Sequence, residues 1–273
     1  MSIEVWIGTS GYSFPDWVGP FYPPNTPAGR MLRYYARHFP LTELNYTFYR
    51  VPTPRELIHL VEKAPAGFRF VVKLYQSITH ELKQEDAPAF QEALAAMSQT
   101  GALLGVLAQF PERFHNAKQT RAWVEQLAQW FGNYTLAVEF RHRSWDRETI
   151  RRWLHGLNVL QVSVDVPPLP TIFPTKLVLT DSTLYLRLHS RRAATWYADD
   201  KARYDYLYKD EELLEWVEAM RQARPRRAWI LFNNCHRGQA AINAQRMEKL
   251  LRSFPQDFNL VPPPAYPEDS LFR

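Results

Sequence analysis

Thr135-Leu136-Ala137-Val138-Glu139-Phe140-Arg141 is the stretch that decides how this sequence folds. Its apolar run does not alternate with polar residues, as in a strand covered on both faces. It closes on two charges, Glu139 and Arg141, whose spacing of two sends them to the same side of an extended chain. A charge at the end of an apolar strand is costly unless it is paired or used. The same design recurs along the chain. Strands are expected near Glu4–Gly8, Leu41–Asn45, Arg69–Lys73, Leu103–Gln109, Thr135–Glu139, Val159–Asp165, Leu184–His189 and Ala228–Asn233.

Between these runs the pattern changes to helical spacing. Thr53-Pro54-Arg55-Glu56 supplies an N-cap, a proline at the first helical position and a capping-box glutamate. Phe90, Leu94 and Met97 form one apolar stripe, and Trp123, Leu127 and Trp130 another. Later helices carry Leu213, Val217 and Met220, then Ala244, Met247 and Leu251. One helix is not expected. Pro167, Pro168, Pro170 and Pro174 fall between the sixth and seventh strands and oppose helix there.

Alternation of this kind predicts an α/β fold, a (β/α)₈ TIM-type barrel with its sixth helix missing or irregular. The reading is one barrel domain over residues 1–273, with a Pro-rich C-terminal tail at about 255–273. An open doubly wound sheet is the alternative, but no glycine fingerprint or P-loop accompanies any strand. The long connections, Thr9–Ala28, Tyr46–Thr53 and Ser190–Lys209, all follow strands. Elaboration on that side marks the functional face of a barrel.

Composition is that of a globular protein, with 46% hydrophobic and 22% charged residues. The aromatic share of 14% is high, and the net charge of +5 is compatible with an anionic partner. Cys235 is the sole cysteine, which excludes an intrachain disulfide and removes any sign of an oxidising compartment. No apolar run reaches the ~20 residues of a membrane span, and no signal-like segment precedes the first strand. A cytoplasmic protein without membrane contact is the expectation.

Some motifs form a family pattern. They are Gly8-Thr9-Ser10-Gly11-Tyr12-Ser13 with Trp17, Gly19 and Phe21-Tyr22-Pro23, then Glu43-Leu44-Asn45 leading to Thr47-Phe48-Tyr49-Arg50, and Lys73 with Ile78-Thr79-His80. Gln109-Phe110-Pro111, Glu139-Phe140-Arg141-His142 with Trp145, Asp165 and Arg187-Leu188-His189 follow, and Phe232-Asn233-Asn234 with Ala241 and Asn243-Ala244 ends the series. In these the chain resembles the YecE-like family, domain of unknown function family 72, over nearly its whole length. The resemblance implies a TIM-type barrel and carries no assigned reaction. Ser190, Cys235 and Tyr12 depart from the family's usual Gly, Thr and Trp. Ser190 bears on the loop it opens, because Ser tolerates positive φ poorly.

The strand ends gather the chemistry. Glu43, Glu139, Asp165 and His189 are the candidate acid–base groups. Thr9, Ser10, Asn45, Tyr49, Lys73, Gln109, Arg141, Trp145, Arg187, Asn233 and Asn234 are the candidate substrate-binding residues. The cations Lys73, Arg141 and Arg187 suit a phosphate or carboxylate. A divalent metal is possible but not favoured: H-x-E, H-E-x-x-H and paired-Cys spacings are absent, and the neighbouring cations oppose a dication. Cys235 beside His236 reads as a packed cysteine. Tyr12, Trp17, Phe21, Tyr22, Phe48, Tyr49, Trp145 and Trp196 fall on functional-side loops, available for stacking or for closing the barrel. The basic cluster Arg221, Arg224, Arg226 and Arg227 falls at the opposite face.

Three classes of function follow. The first is an enzyme acting on a small anionic substrate by acid–base chemistry at the C-terminal face. The second is a nucleic-acid binding or processing barrel, and the third a non-catalytic ligand-binding barrel.

Overall fold

The computed structural model describes residues 2–266. Its strands are β1 (Ile3–Ser10), β2 (Leu41–Leu44), β3 (Arg69–Lys73), β4 (Leu103–Gln109), β5 (Leu136–Glu139), β6 (Leu160–Gln161), β7 (Ser163–Asp165), β8 (Thr183–Leu188), β9 (Arg227–Phe232) and β10 (Phe258–Leu260). Hydrogen-bonded neighbours run β6-β5-β4-β3-β2-β1-β9-β8-β7, all parallel. The two ends of that row are adjacent in sequence, separated by Val162 alone. β6 and β7 are thus two halves of one strand, the first paired with β5 and the second with β8. The sheet closes on itself through them, giving eight strand positions and the expected TIM-type barrel.

The helices are α1 (Ala28–Tyr35), α2 (Pro54–Lys63), α3 (Gln76–Thr79), α4 (Ala87–Gln99), α5 (Lys118–Phe131), α6 (Glu148–Gly156), α7 (Asp200–Arg203), α8 (Asp210–Ala223) and α9 (Gln239–Arg252). The capping box of α2 is present, with Glu56 N–H donating to Thr53 Oγ1 at 3.2 Å and Thr53 N–H donating to Glu56 Oε2 at 2.8 Å. Phe90, Leu94 and Met97 are buried on α4 as their spacing predicts. On α5 the buried stripe is Val124, Leu127 and Phe131. Trp123 and Trp130 flank it, packed edge to face at 5.5 Å.

No helix forms between β7 and β8, where the four prolines lie. Instead the chain turns back along the split strand and ties to it through side chains. Thr175 Oγ1 donates to Val166 O at 2.8 Å, Ser163 Oγ accepts Val178 N–H at 2.9 Å, and Thr180 Oγ1 accepts Gln161 N–H at 3.0 Å. These bonds satisfy backbone that a helix would have left covered. Ile172, Phe173 and Val178 are buried and supply the apolar cover of the missing helix.

Strand register decides which residues face the barrel's interior. Residues paired across parallel strands share a face, and Ser10 pairs Glu43, Glu43 pairs Val71, and Gln109 pairs Glu139. Arg187 pairs Val164 on one side and Leu231 on the other. The inward set therefore includes Ser10, Glu43, Lys73, Gln109, Glu139, Val164 and Arg187. Lower in the barrel, Tyr185 and Trp229 pair and their rings meet at 5.7 Å. Gly105 is what lets them in, since a Cβ there would lie 3.0 Å from the Trp229 ring and from Thr135 O.

At the other end of the barrel, β10 pairs parallel with the start of β1, Ile3 opposite Phe258. The stretch expected as a Pro-rich tail thus contains a strand, and Tyr266 beyond it lies under Arg33 of α1 and Arg37 just after that helix. Residues 267–273 of that tail lie outside the described residues. Arg221 and Arg224, expected as a basic cluster at this end, share Asp257 at 2.7 and 3.6 Å.

Candidate functional site

A cleft of about 640 Å³ opens at the C-terminal ends of the strands. Its floor is Arg187. The guanidinium is buried and donates from Nε to Glu43 Oε2 at 2.9 Å and from Nη2 to Glu43 Oε1 at 2.6 Å. Its Nη1 donates to Glu139 Oε2, and Ser10 Oγ lies 3.4 Å from Nη2. Tyr185 O–H donates to Glu43 Oε2 at 2.5 Å, with burial first and the Glu43 charge second pushing that phenol well above its ordinary pKa. Both Glu43 oxygens are therefore committed to neighbours.

Glu139 sits one layer behind. Burial alone would raise its carboxyl, but the adjacent Arg141 and Arg187 charges overturn this and hold it well below the ordinary range. Arg141 Nε approaches Glu139 Oε1 to 2.6 Å, yet its N–H is not aimed at the oxygen. This is an ion pair without a directed hydrogen bond. The Arg141 guanidinium lies over the Trp196 ring at 5.4 Å, and neither Nη has a partner among the described residues.

His189 is fully buried behind the same carboxylate, its Nε2 3.6 Å from Glu139 Oε1. Asn233 Nδ2 donates to His189 Nδ1 at 2.9 Å with the amide oriented as here, which places the imidazole proton on Nε2. Burial, then Arg141, lowers His189 to about 3, so the ring is neutral.

Lys73 is different in kind. It ends β3 in the cleft, with Nζ 4.1 Å from the centre of the Phe48 ring. Among the described residues no carboxylate lies within ion-pair distance of it. Burial first, and then the Arg187 charge, lowers it to about 7. His80 beyond it is lowered to about 4, by burial and then by Lys73.

The candidate residues divide by these placements. Ser10, Glu43, Asn45, Tyr49, Lys73, Gln109, Arg141, Arg187 and Asn233 line the cleft, while Glu139 and His189 back it. Four point elsewhere: alternation turns Thr9, Asp165 and Asn234 outward, and Trp145 sits in the short 3-10 turn Arg143–Trp145 after β5. Thr9, between Gly8 and Ser10, bonds the Tyr35 hydroxyl at 2.9 Å. Asn234 donates to Asn243 Oδ1 at 2.8 Å and to Tyr206 O at 2.7 Å. Trp145 stacks on Phe140 at 4.0 Å and donates to Phe114 O. Asp165 follows the inward Val164, so it faces the helix layer. It accepts Trp216 Nε1–H at 2.6 Å, Tyr208 O–H at 3.2 Å and two donors of Arg191. The Glu43 and Arg187 placements also alter the charge sum. Two carboxylates face two guanidiniums, so any surplus positive charge at the floor belongs to Lys73.

The family model described as a protein of unknown function, DUF72, matches residues 6–268. The chain belongs to the DUF72 family. It is 30% identical over 275 residues to the UPF0759 protein YunF of Bacillus subtilis, covering 90% of this chain and 94% of that one. A DUF72 family protein of Thermotoga maritima superposes with a TM-score of 0.84 at 37% identity, over 91% of this chain and 99% of that one. One from Enterococcus faecalis gives 0.79 at 28% identity, over 91% and 95%.

Where this DUF72 chain departs from the family's usual residues, the structure accommodates it. Ser190 takes no positive φ, and its Oγ accepts Arg192 N–H at 3.1 Å. Cys235 lies against Ser10 O at 3.3 Å at the edge of the cleft, its thiol pushed up by burial. Of the loop aromatics, Tyr12, Phe48, Tyr49 and Trp196 line the cleft, whereas Trp17, Tyr22 and Trp145 are core. Tyr185, Tyr197 and Arg191 stand outside the residues read from sequence, and His80 enters there only through the family motif and not as a candidate site residue. Tyr185 was legible in principle, two before Arg187 on one strand face; the others needed the loops in place. Among the described residues no group of three or more His, Cys, Asp or Glu could hold a metal ion. No described helix is long and apolar enough to cross a membrane.

Proposed function

We propose that this DUF72 barrel is an enzyme acting on a small molecule that carries a phosphate or carboxylate, by acid–base chemistry in the cleft at its C-terminal face. The observation that carries this is Arg141. Its Nε side lies against Glu139 and its guanidinium lies over the Trp196 ring, while neither Nη has a partner among the described residues. A guanidinium held on one edge presents a fork that matches two oxygens of an anion. Asn45, Gln109 and Asn233 add neutral polar groups, and Asn45 Oδ1 is buried without a partner among the described residues. The cleft falls within the size range of small-molecule sites. The aromatic rim, with Tyr49 67% and Tyr197 63% exposed, favours a ligand with a ring-bearing or apolar body beyond its anionic end.

Inorganic phosphate is the probe. Wild type should gain melting temperature across a phosphate titration, as a ligand that binds only the folded state requires. Arg141→Ala should lose most of that gain, and Arg141→Lys should recover part of it. An equal gain in wild type and Arg141→Ala would place the anion elsewhere and overturn the reading.

A further inference from the structure

We propose that Lys73, and not one of the carboxylates, exchanges a proton with the molecule bound in the cleft. This deepens the reading of the site as an anion-binding enzyme and rests on it. The argument is one of commitment. Glu43 has both oxygens held, by Arg187 and Tyr185. Glu139 is held between Arg187 and Arg141 and does not line the cleft. His189 is buried behind it, with Nδ1 engaged by Asn233. Taking a proton onto either carboxylate would break a buried charged network, which costs several kcal/mol, and His189 does not line the cleft. Of the ionisable groups at the strand ends, Lys73 alone faces the cavity with no carboxylate partner among the described residues; His80, also in the cleft, follows α3 and is lowered to about 4, too weak a base to hold a proton at neutral pH.

Its surroundings make it a base at neutral pH. Arg187 on β8 and Arg141 after β5 repel an ammonium, Glu43 on β2 and Glu139 on β5 attract it, and His80 after α3 is held neutral nearby. The two guanidiniums and two carboxylates offset one another, so desolvation decides, and it favours the neutral amine. Phe48 offers a ring face in place of a counter-charge, which is worth far less than an ion pair at this depth.

The ligand class follows. It is a carboxylate- or phosphate-bearing molecule with an acidic C–H or O–H next to the anionic group. The anion rests on Arg141, and the Lys73 lone pair takes the adjacent proton. The broken bond's electron pair stays on the substrate, and the new ammonium stands beside the charge it has created. In the reverse sense the ammonium returns that proton. Anion binding by itself also favours the ammonium, so binding and protonation of Lys73 are coupled.

The test is trace acetylation of the wild-type protein across a pH series, with each lysine's labelling read by peptide mass spectrometry. The midpoint of labelling against pH reports each amine's own titration and does not depend on how accessible it is. Lys73 should titrate near 7, with the labelling of exposed Lys63 and Lys118 followed in the same samples. Saturating phosphate should move the Lys73 midpoint up by about one unit or more, the direction a nearby anion imposes. A Lys73 midpoint at the ordinary value of about 10.4 overturns the proposal. So does a midpoint near 7 that phosphate leaves unmoved. Neither result touches the anion-binding reading, which the Arg141 melting series decides separately.

Discussion

Arg187 shows how a buried charge is kept at the centre of a barrel. Four hydrogen bonds reach two carboxylates and a hydroxyl, so its desolvation is offset by directed bonds rather than by exposure. Lys73 has no such offset, and its cost should be visible in stability. The unfolded chain holds this proton up to about 10.4. The folded chain releases it near 7. Wherever the unfolded state binds more protons, stability rises with pH. The penalty is thus complete below about pH 7, shrinks as pH rises from there, and is gone by about pH 10.4. Lys73→Met should accordingly melt above wild type at neutral pH, with the difference fading toward pH 10. A constant difference across that range, or a lower melting temperature at pH 7, would contradict a desolvated amine.

At the level of elements, the outward carboxylate of β7 is a clasp. Asp165 joins the opening of the β8–α8 loop through Arg191 to α8 through Trp216, with Tyr208 between them. Arg191 also reaches Glu215 on α8 at 2.8 Å. That loop carries Trp196 and Tyr197 into the cleft. A residue expected to act on substrate is thus placed to hold the wall that substrate would touch. Asp165→Asn keeps the shape and removes the charge that Arg191 requires. Amide exchange over residues 190–209 should quicken several-fold while β1 to β5 stay protected, because openings are local where contacts are few. Exchange that rises equally through the barrel would show that the clasp secures the whole fold and not the loop.

Across the whole molecule, stability and site occupy opposite ends of the barrel. β10 extends the sheet beside β1 at the end remote from Ser10, and Phe258 of β10 is buried in the core. Phe258→Ala should cost about 3 kcal/mol in urea unfolding, the scale of a buried phenylalanine truncation. The phosphate-dependent rise in melting temperature should be unchanged. A loss below about 1 kcal/mol, outside that scale, would mean that β10 is an accessory and not part of the core.

Much of this was legible without coordinates. Continuous apolar strands between amphipathic helices admit few arrangements, and the proline run before Lys176 ruled out a sixth helix on covalent grounds. The period-two rule correctly joined Glu139 with Arg141, and Arg187 with His189, on shared faces. It does not say which face is inward, because a shift of one residue in register exchanges the two. Only barrel closure turned Val164 in and Asp165 out, and separated Asn233 from Asn234. Partners distant in sequence were likewise invisible: Glu43 meets Arg187 only because β2 and β8 curve toward one axis. Once those carboxylates are taken, Lys73 is left without a carboxylate partner among the described residues. Residue types and spacing determined that the strand ends would be charged. Which of those charges remains free to act is a property of the closed barrel, since neutralisation depends on distances that no local stretch of chain sets.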